Sequence, residues 1–145
     1  MVLNFHLELD CQKSSIMKIF CDFEYYPNYF SQIENVKIIE KNKNEIMTEE
    51  ILVFKTYLKN KITQKTKHEV ISNSEINSII IEGPASGSKI KIIFKEIENK
   101  TLIIIDIDLK LSLKAKIFQP IINKAYKQFM TGLLIKMNNR CKGDF

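Results

Sequence analysis

From Val2 to Leu9 apolar and polar residues alternate one by one. Leu3, Phe5, Leu7 and Leu9 share one face, and Asn4, His6 and Glu8 share the other. A period of two belongs to a strand with one side buried, so the chain is expected to open on a strand. The period then lengthens: Ile16, Met17 and Phe20 recur at helical spacing behind Asp10, which fits an N-cap. DFEYYPNYF follows, with five rings in nine residues. Pro27 is placed there to open a second, short helix, since its missing N–H costs nothing in a first turn.

From residue 35 the period returns to two. Segments 36–41, 45–55, 62–71, 75–82, 89–97 and 101–111 are rich in Ile, Val, Thr and Phe, and short joints of turn residues separate them. Short joints between consecutive strands make antiparallel hairpins, so a six-strand meander is predicted. Residues 114–139 switch to a helical stripe that includes Ile117, Ile121, Ile122, Tyr126, Phe129, Met130, Leu133 and Met137. Pro120 lies early in that span, where it either kinks the helix or marks its start. The order describes an α+β chain: a seven-stranded curved antiparallel sheet around a long C-terminal helix, with two short helices between strands 1 and 2. The space between sheet and helix is a natural cavity.

Three stretches carry a likeness beyond periodicity. DFEYYPNYF stands in the place of a D-x-x-x-Y-P-x-[FW] pattern, and ENVKIIEKNKNE follows as a second strand with its hairpin. EGPASGSKIKIIFKEIENKTLIIIDIDLKL matches a Gly-Pro turn and two last strands. In these the chain resembles the START-like superfamily, the helix-grip or birch-pollen-allergen fold. Within it the chain is most similar to the coenzyme-Q-binding and polyketide cyclase/dehydrase-like group. The resemblance covers nearly the whole chain and implies a single ligand-binding domain over residues 1–145. It implies binding or transport of a hydrophobic or amphipathic small molecule: a lipid, an isoprenoid quinone or a polycyclic compound. Two alternatives come with it, a cyclase or dehydratase using the same cavity and a ribosome- or RNA-interacting module. Its motifs are structural and hold no catalytic signature.

Alternation also assigns faces. In 62–71, Lys65, Lys67 and Glu69 must meet water, which turns Ile62, Gln64, Thr66, His68 and Val70 toward the helix. Burying a polar group without a partner costs ~1–3 kcal/mol, so Gln64, Thr66 and His68 require one another, water or a ligand. By the same parity the last strands turn Ile92, Phe94 and Ile105 inward. The expected ligand-binding set is therefore Tyr26, Phe30, Gln64, Thr66, His68, Ile92, Phe94, Ile105, Ile122, Tyr126, Phe129 and Met130. In the enzyme alternative His68 would be the acid/base and would need an oriented partner. Of the adjacent Glu49 and Glu50 one must face inward, and Glu50 shares parity with Leu52 and Phe54. No residue is assigned as catalytic, and no cofactor is expected. The two histidines are 62 residues apart and no CxxC occurs, so no metal site is expected. GPASG, flanked by strands, reads as a turn at the cavity rim whose glycines suit a gate, and not as a phosphate loop.

Charge sharpens the picture at one end. Residues 109–143 hold eight basic side chains and no acidic one, leaving 14 basic and 17 acidic residues elsewhere. The basicity of the C-terminal helix is compatible with a solvated outer face, an anionic membrane surface, or a ribosome or RNA. No basic residue lies between Lys18 and Lys37, so the aromatic corner reads as core packing and cavity closure instead of a stacking platform for bases. Leu102 and Ile104 fall on the outward face, with Ile76, Ile80 and Ile93 expected to extend a patch suited to a homodimer contact. The N-terminus lacks the basic and apolar regions of a signal peptide. Three cysteines without ligand spacing read as reduced thiols of a cytoplasmic protein.

Overall fold

The computed structural model describes residues 1–54 and 58–143, with the backbone alone at 54, 58–60, 118, 121–131 and 134. Strand β1 (Val2–Leu9) leads into helix α1 (Lys13–Cys21) and a 3₁₀ turn (Phe23–Asn28). The meander follows as β2 (Ile33–Lys41), β3 (Glu45–Phe54), β4 (Leu58–Ser72), β5 (Glu75–Glu82), β6 (Lys89–Ile97) and β7 (Lys100–Asp108). A 3₁₀ turn (Ala115–Phe118) then passes into helix α2 (Gln119–Gly143). The seven strands form one sheet in the order β1-β7-β6-β5-β4-β3-β2, each antiparallel to its neighbours. Hairpins generate the run from β2 to β7, and β1 closes it by pairing with the last strand, Val2 opposite Asp108.

Local chemistry decides where the elements stop. Gly83 and Gly87 adopt φ values of 116° and 92°, a region open to glycine, and bracket the turn between β5 and β6. That turn is tied down: Gly87 N–H donates to the Ile80 carbonyl, and Ser112 N–H donates to that of Pro84. Pro120 is the second residue of α2, so the proline marks the helix start and a 3₁₀ turn precedes it. Two expectations change here. Asp10 does not cap α1, which begins after Gln12 without a side-chain cap; Asp10 is drawn to Lys100 and Lys142 instead. Pro27 lies near the end of a 3₁₀ turn and not at the start of an α-helix, because the chain folds back at once to reach the sheet edge at Ile33.

The main core joins Leu7 and Leu9 of β1, Ile16, Ile19 and Phe20 of α1, Phe94 of β6, Ile103 and Ile105 of β7, and Leu133 and Met137 of α2. A smaller cluster of Phe23, Val36 and Ile46 packs at the other end. Ile76 and Ile80, expected on the outward patch, are buried at 1% and 7% exposure. Register explains the reversal: Ile76 pairs with Val70 and Ile80 with Thr66, and directly opposed residues share a face. The expectation of three reduced thiols is also corrected for two of them. Cys11, just after β1, and Cys141, near the end of α2, form a disulfide with Cα atoms 6.3 Å apart, while Cys21 is free. The two are 130 residues apart in the chain, and only the docking of α2 brings them together. Among the described residues no helix is long and apolar enough to cross a membrane.

Candidate functional site

A cavity of about 350 Å³ lies between the concave face of the sheet and α2. Ile90 and Ile92 of β6, Ile105 and Ile107 of β7, and Leu3 and Phe5 of β1 form its floor, and Leu133 and Met137 of α2 approach from above. Phe20, Phe23, Tyr26 and Phe30 close one end. The alternating branched side chains of three neighbouring strands make this surface apolar. Apolar area of this kind contributes roughly 25 cal/mol per Å² when a ligand removes it from water.

At one side of the cavity the sheet carries a row of buried polar groups: Thr48 and Glu50 of β3, Thr66 and His68 of β4, and Ser78 of β5. Register sets them side by side, Thr48 opposite Thr66 and His68 opposite Ser78. Ser78 Oγ lies 2.7 Å from His68 Nδ1, and His68 Nε2 lies 2.9 Å from Thr48 Oγ1. Thr48 Oγ1 in turn donates to Glu50 Oε1 at 3.2 Å. The imidazole also stacks on Phe23, with ring centroids 3.9 Å apart and planes inclined by 17°. Burial pushes His68 down to about 4, so the ring is neutral. Burial likewise pushes Glu50 up to about 7, opposed by the Thr66 and Thr48 hydroxyls that favour the carboxylate. Glu50 Oε2 and Thr66 Oγ1 are buried without a hydrogen bond of good geometry.

The aromatic corner is arranged around α2. Tyr26 donates its hydroxyl proton to the Phe20 carbonyl at 2.6 Å, and burial holds that phenol well above the usual tyrosine range. Arg140 donates to the Tyr29 hydroxyl at 2.7 Å, pairs with Asp22 and lies over the Tyr25 ring at 3.7 Å. The crowded rings of DFEYYPNYF thus wall the cavity on one side and clamp the C-terminal helix on the other.

Of the residues expected from the sequence, Tyr26, Phe30, His68, Ile92 and Ile105 line the cavity. Phe94 lies in the core, edge-on to Phe20 at 5.2 Å, and does not line the cavity. Thr66 is buried and Gln64 half-buried, opposite Thr48 and Glu50 and away from the lining. The side chains of Ile122, Tyr126, Phe129 and Met130 lie outside the described residues. Ser78, Thr48 and Phe23 were not anticipated. For Ser78 a signal existed: the hairpin turn 72–74 sets His68 opposite Ser78, so an inward His68 implies an inward Ser78. Among the described residues no group of three or more His, Cys, Asp or Glu could hold a metal ion.

Neither a protein-family model nor a curated protein matches the sequence. Solved structures do match in shape. A START superfamily protein from Mycobacterium smegmatis superposes with a TM-score of 0.75 at 16% identity, covering 97% of both chains. The Zhui aromatase/cyclase from Streptomyces sp. R1128 gives 0.79 at 9% identity, over 97% of this chain and 94% of that one. Ara h 8.0201 gives 0.69 at 14% identity, over 99% of this chain and all of that one. The likeness spans nearly the whole of each chain, and this chain, with its seven-stranded antiparallel sheet and long C-terminal helix, has the START-like, helix-grip fold.

Proposed function

We propose that residues 1–145 act as one ligand-binding domain that holds an apolar or amphipathic small molecule between the sheet and α2. The candidates are those of the sequence reading: a lipid, an isoprenoid quinone or a polycyclic compound. The observation that supports this most is a cavity of about 350 Å³ walled by Ile, Leu and Phe, with His68 and Ser78 side by side on its wall. That is the usual form of a small-molecule site, in which apolar burial supplies affinity and a few polar groups orient the guest. The cyclase or dehydratase reading, with His68 as acid/base, is less favoured. Both ring nitrogens are engaged, by Ser78 and by Thr48, so His68 reaches a ligand only through Ser78. The ribosome or RNA reading is less favoured too, because Lys136, Arg140 and Lys142 turn back onto Tyr29, Asp22 and Asp10.

Filling the cavity tests the proposal. Native mass spectrometry with solvent extraction is expected to show a stoichiometric apolar passenger, or uptake of an added polycyclic compound. Ile105→Trp should abolish that uptake while costing about 1–3 kcal/mol of stability from overpacking. Uptake that persists in a folded Ile105→Trp protein would place binding elsewhere and overturn the reading.

A further inference from the structure

The polar row does more than interrupt an apolar wall, because its hydrogen bonds run in one direction. Thr48 has a single proton and three neighbours able to accept it: Glu50 Oε1 at 3.2 Å, the Thr66 carbonyl at 3.5 Å and, in one tautomer, His68 Nε2 at 2.9 Å. Once the Glu50 carboxyl is ionised its oxygens can only accept, and the proton goes to Glu50 Oε1. Its oxygen is then the acceptor for His68 Nε2, which must carry the imidazole proton. The ring is neutral and 8% exposed, stacked on Phe23, so Nδ1 bears a lone pair. Ser78, 2.7 Å away, must donate its own proton to that lone pair. What remains for the cavity at Ser78 Oγ is lone pairs alone. The other polar side chains of the described lining are committed in the same sense. Tyr26 gives its proton to the Phe20 carbonyl, and Ser88 gives its proton to the Lys110 carbonyl while accepting from Lys110 N–H. Among the described lining residues the side chains thus offer acceptors and no donor.

We infer that, with Glu50 ionised, the cavity selects a ligand bearing a hydroxyl donor on an apolar skeleton, an alcohol or a phenol, and seats that hydroxyl on Ser78 Oγ. The inference rests on the reading of the cavity as a small-molecule site and narrows its ligand class. A ketone, a quinone carbonyl or a carboxylate would set its own lone pairs against those of Ser78 and bury them unpaired, which is the costly case. A hydroxyl completes the chain from ligand to Ser78, His68, Thr48 and Glu50. Ser78 acts as a binding residue here, and Thr48 as a positioning residue that fixes the tautomer of His68.

Three probes with one skeleton test this: fluorene, fluorenone and fluorenol. They would be titrated against the full chain by two-dimensional NMR at about pH 8.5, where the Glu50 carboxyl is ionised. Fluorenol is expected to bind roughly tenfold more tightly than fluorenone, with fluorene between or below them. Ser78→Ala should bring alcohol and ketone to within about twofold of each other while fluorene binding holds. Thr48→Val leaves the cavity wall intact and frees the tautomer, so it should shrink the same preference. Fluorenone binding as well as fluorenol in the natural protein would overturn the inference, as would an unchanged preference in Ser78→Ala. Either result with fluorene bound leaves the cavity reading standing. Failure of all three probes to shift any cavity resonance would sink the cavity reading, and the inference with it.

Discussion

His68 and Glu50 sit two hydrogen bonds apart through Thr48, and burial acts on them in opposite directions. It keeps the imidazole from gaining a charge and the carboxyl from gaining one, which moves the first down to about 4 and the second up to about 7. The signs follow. Glu50, raised from 4.5, contributes stability that is complete below about 4.5 and lost as pH rises through about 7. His68, lowered from 6.5, contributes stability that is complete above about 6.5 and lost as pH falls through about 4. Between those limits the two slopes oppose, each at most about 1.4 kcal/mol per pH unit. The natural protein should therefore change little in urea midpoint from these two groups across about pH 4.5–6.5. Glu50→Gln should lose about 2 kcal/mol more than the natural protein over the same acidification. Equal slopes for the two proteins would mean that Glu50 is not held protonated by its surroundings.

Among the elements, α2 depends most on a distant segment. Its C-terminal half meets α1 and the 3₁₀ turn through Arg140, which binds Asp22 and Tyr29 and covers Tyr25. Arg140 is 15% exposed at its side chain, so these contacts are only partly screened by water. Replacing it by methionine keeps much of the apolar stem and removes the charge-assisted hydrogen bonds, at a cost of about 1–3 kcal/mol. Hydrogen exchange should report the loss first in the last two turns of α2 and in the Phe23–Asn28 turn, because the clamp joins those two. Faster exchange confined to the sheet would assign Arg140 a different role. The element also shows what periodicity misses: a helical stripe tells that α2 has a buried face, while the aromatic cluster that receives its polar end is 111 residues away.

At the scale of the whole molecule, the Cys11–Cys141 disulfide ties the first strand's exit to the last helix. Cross-linking residues 130 apart restricts the unfolded chain strongly, worth about 5 kcal/mol in the loop-entropy account. Alkylation in denaturant without reductant is therefore expected to add one label, at Cys21, and reduction first should add three. The reduced protein should melt at a lower temperature. Three labels without reductant would show free thiols and remove the tie.

Much of this architecture was legible in the chain, because local periodicity reports burial and burial is what a sheet face or a helix stripe consists of. Alternation in β1, β4, β6 and β7, the short joints between strands and the stripe of α2 were enough for the element order, the antiparallel sheet and the inward face of Thr66, His68, Ile92 and Ile105. Even Glu50 could be turned inward by its parity with Leu52. Where alternation failed, the reading failed. Ile79, Ile80 and Ile81 are consecutive and mark no face, so the facing of Ser78, Ile76 and Ile80 follows from the pairing of β5 with β4 across the 72–74 turn and not from alternation within β5. The tertiary structure alone decided which distant groups meet: Ser78 with His68 and Thr48, Arg140 with Tyr29, Cys11 with Cys141. Periodicity is a property of neighbours a few residues apart. The direction of a hydrogen-bond chain, and hence the chemistry a cavity offers, depends on contacts that exist only once the sheet has curled around its helix.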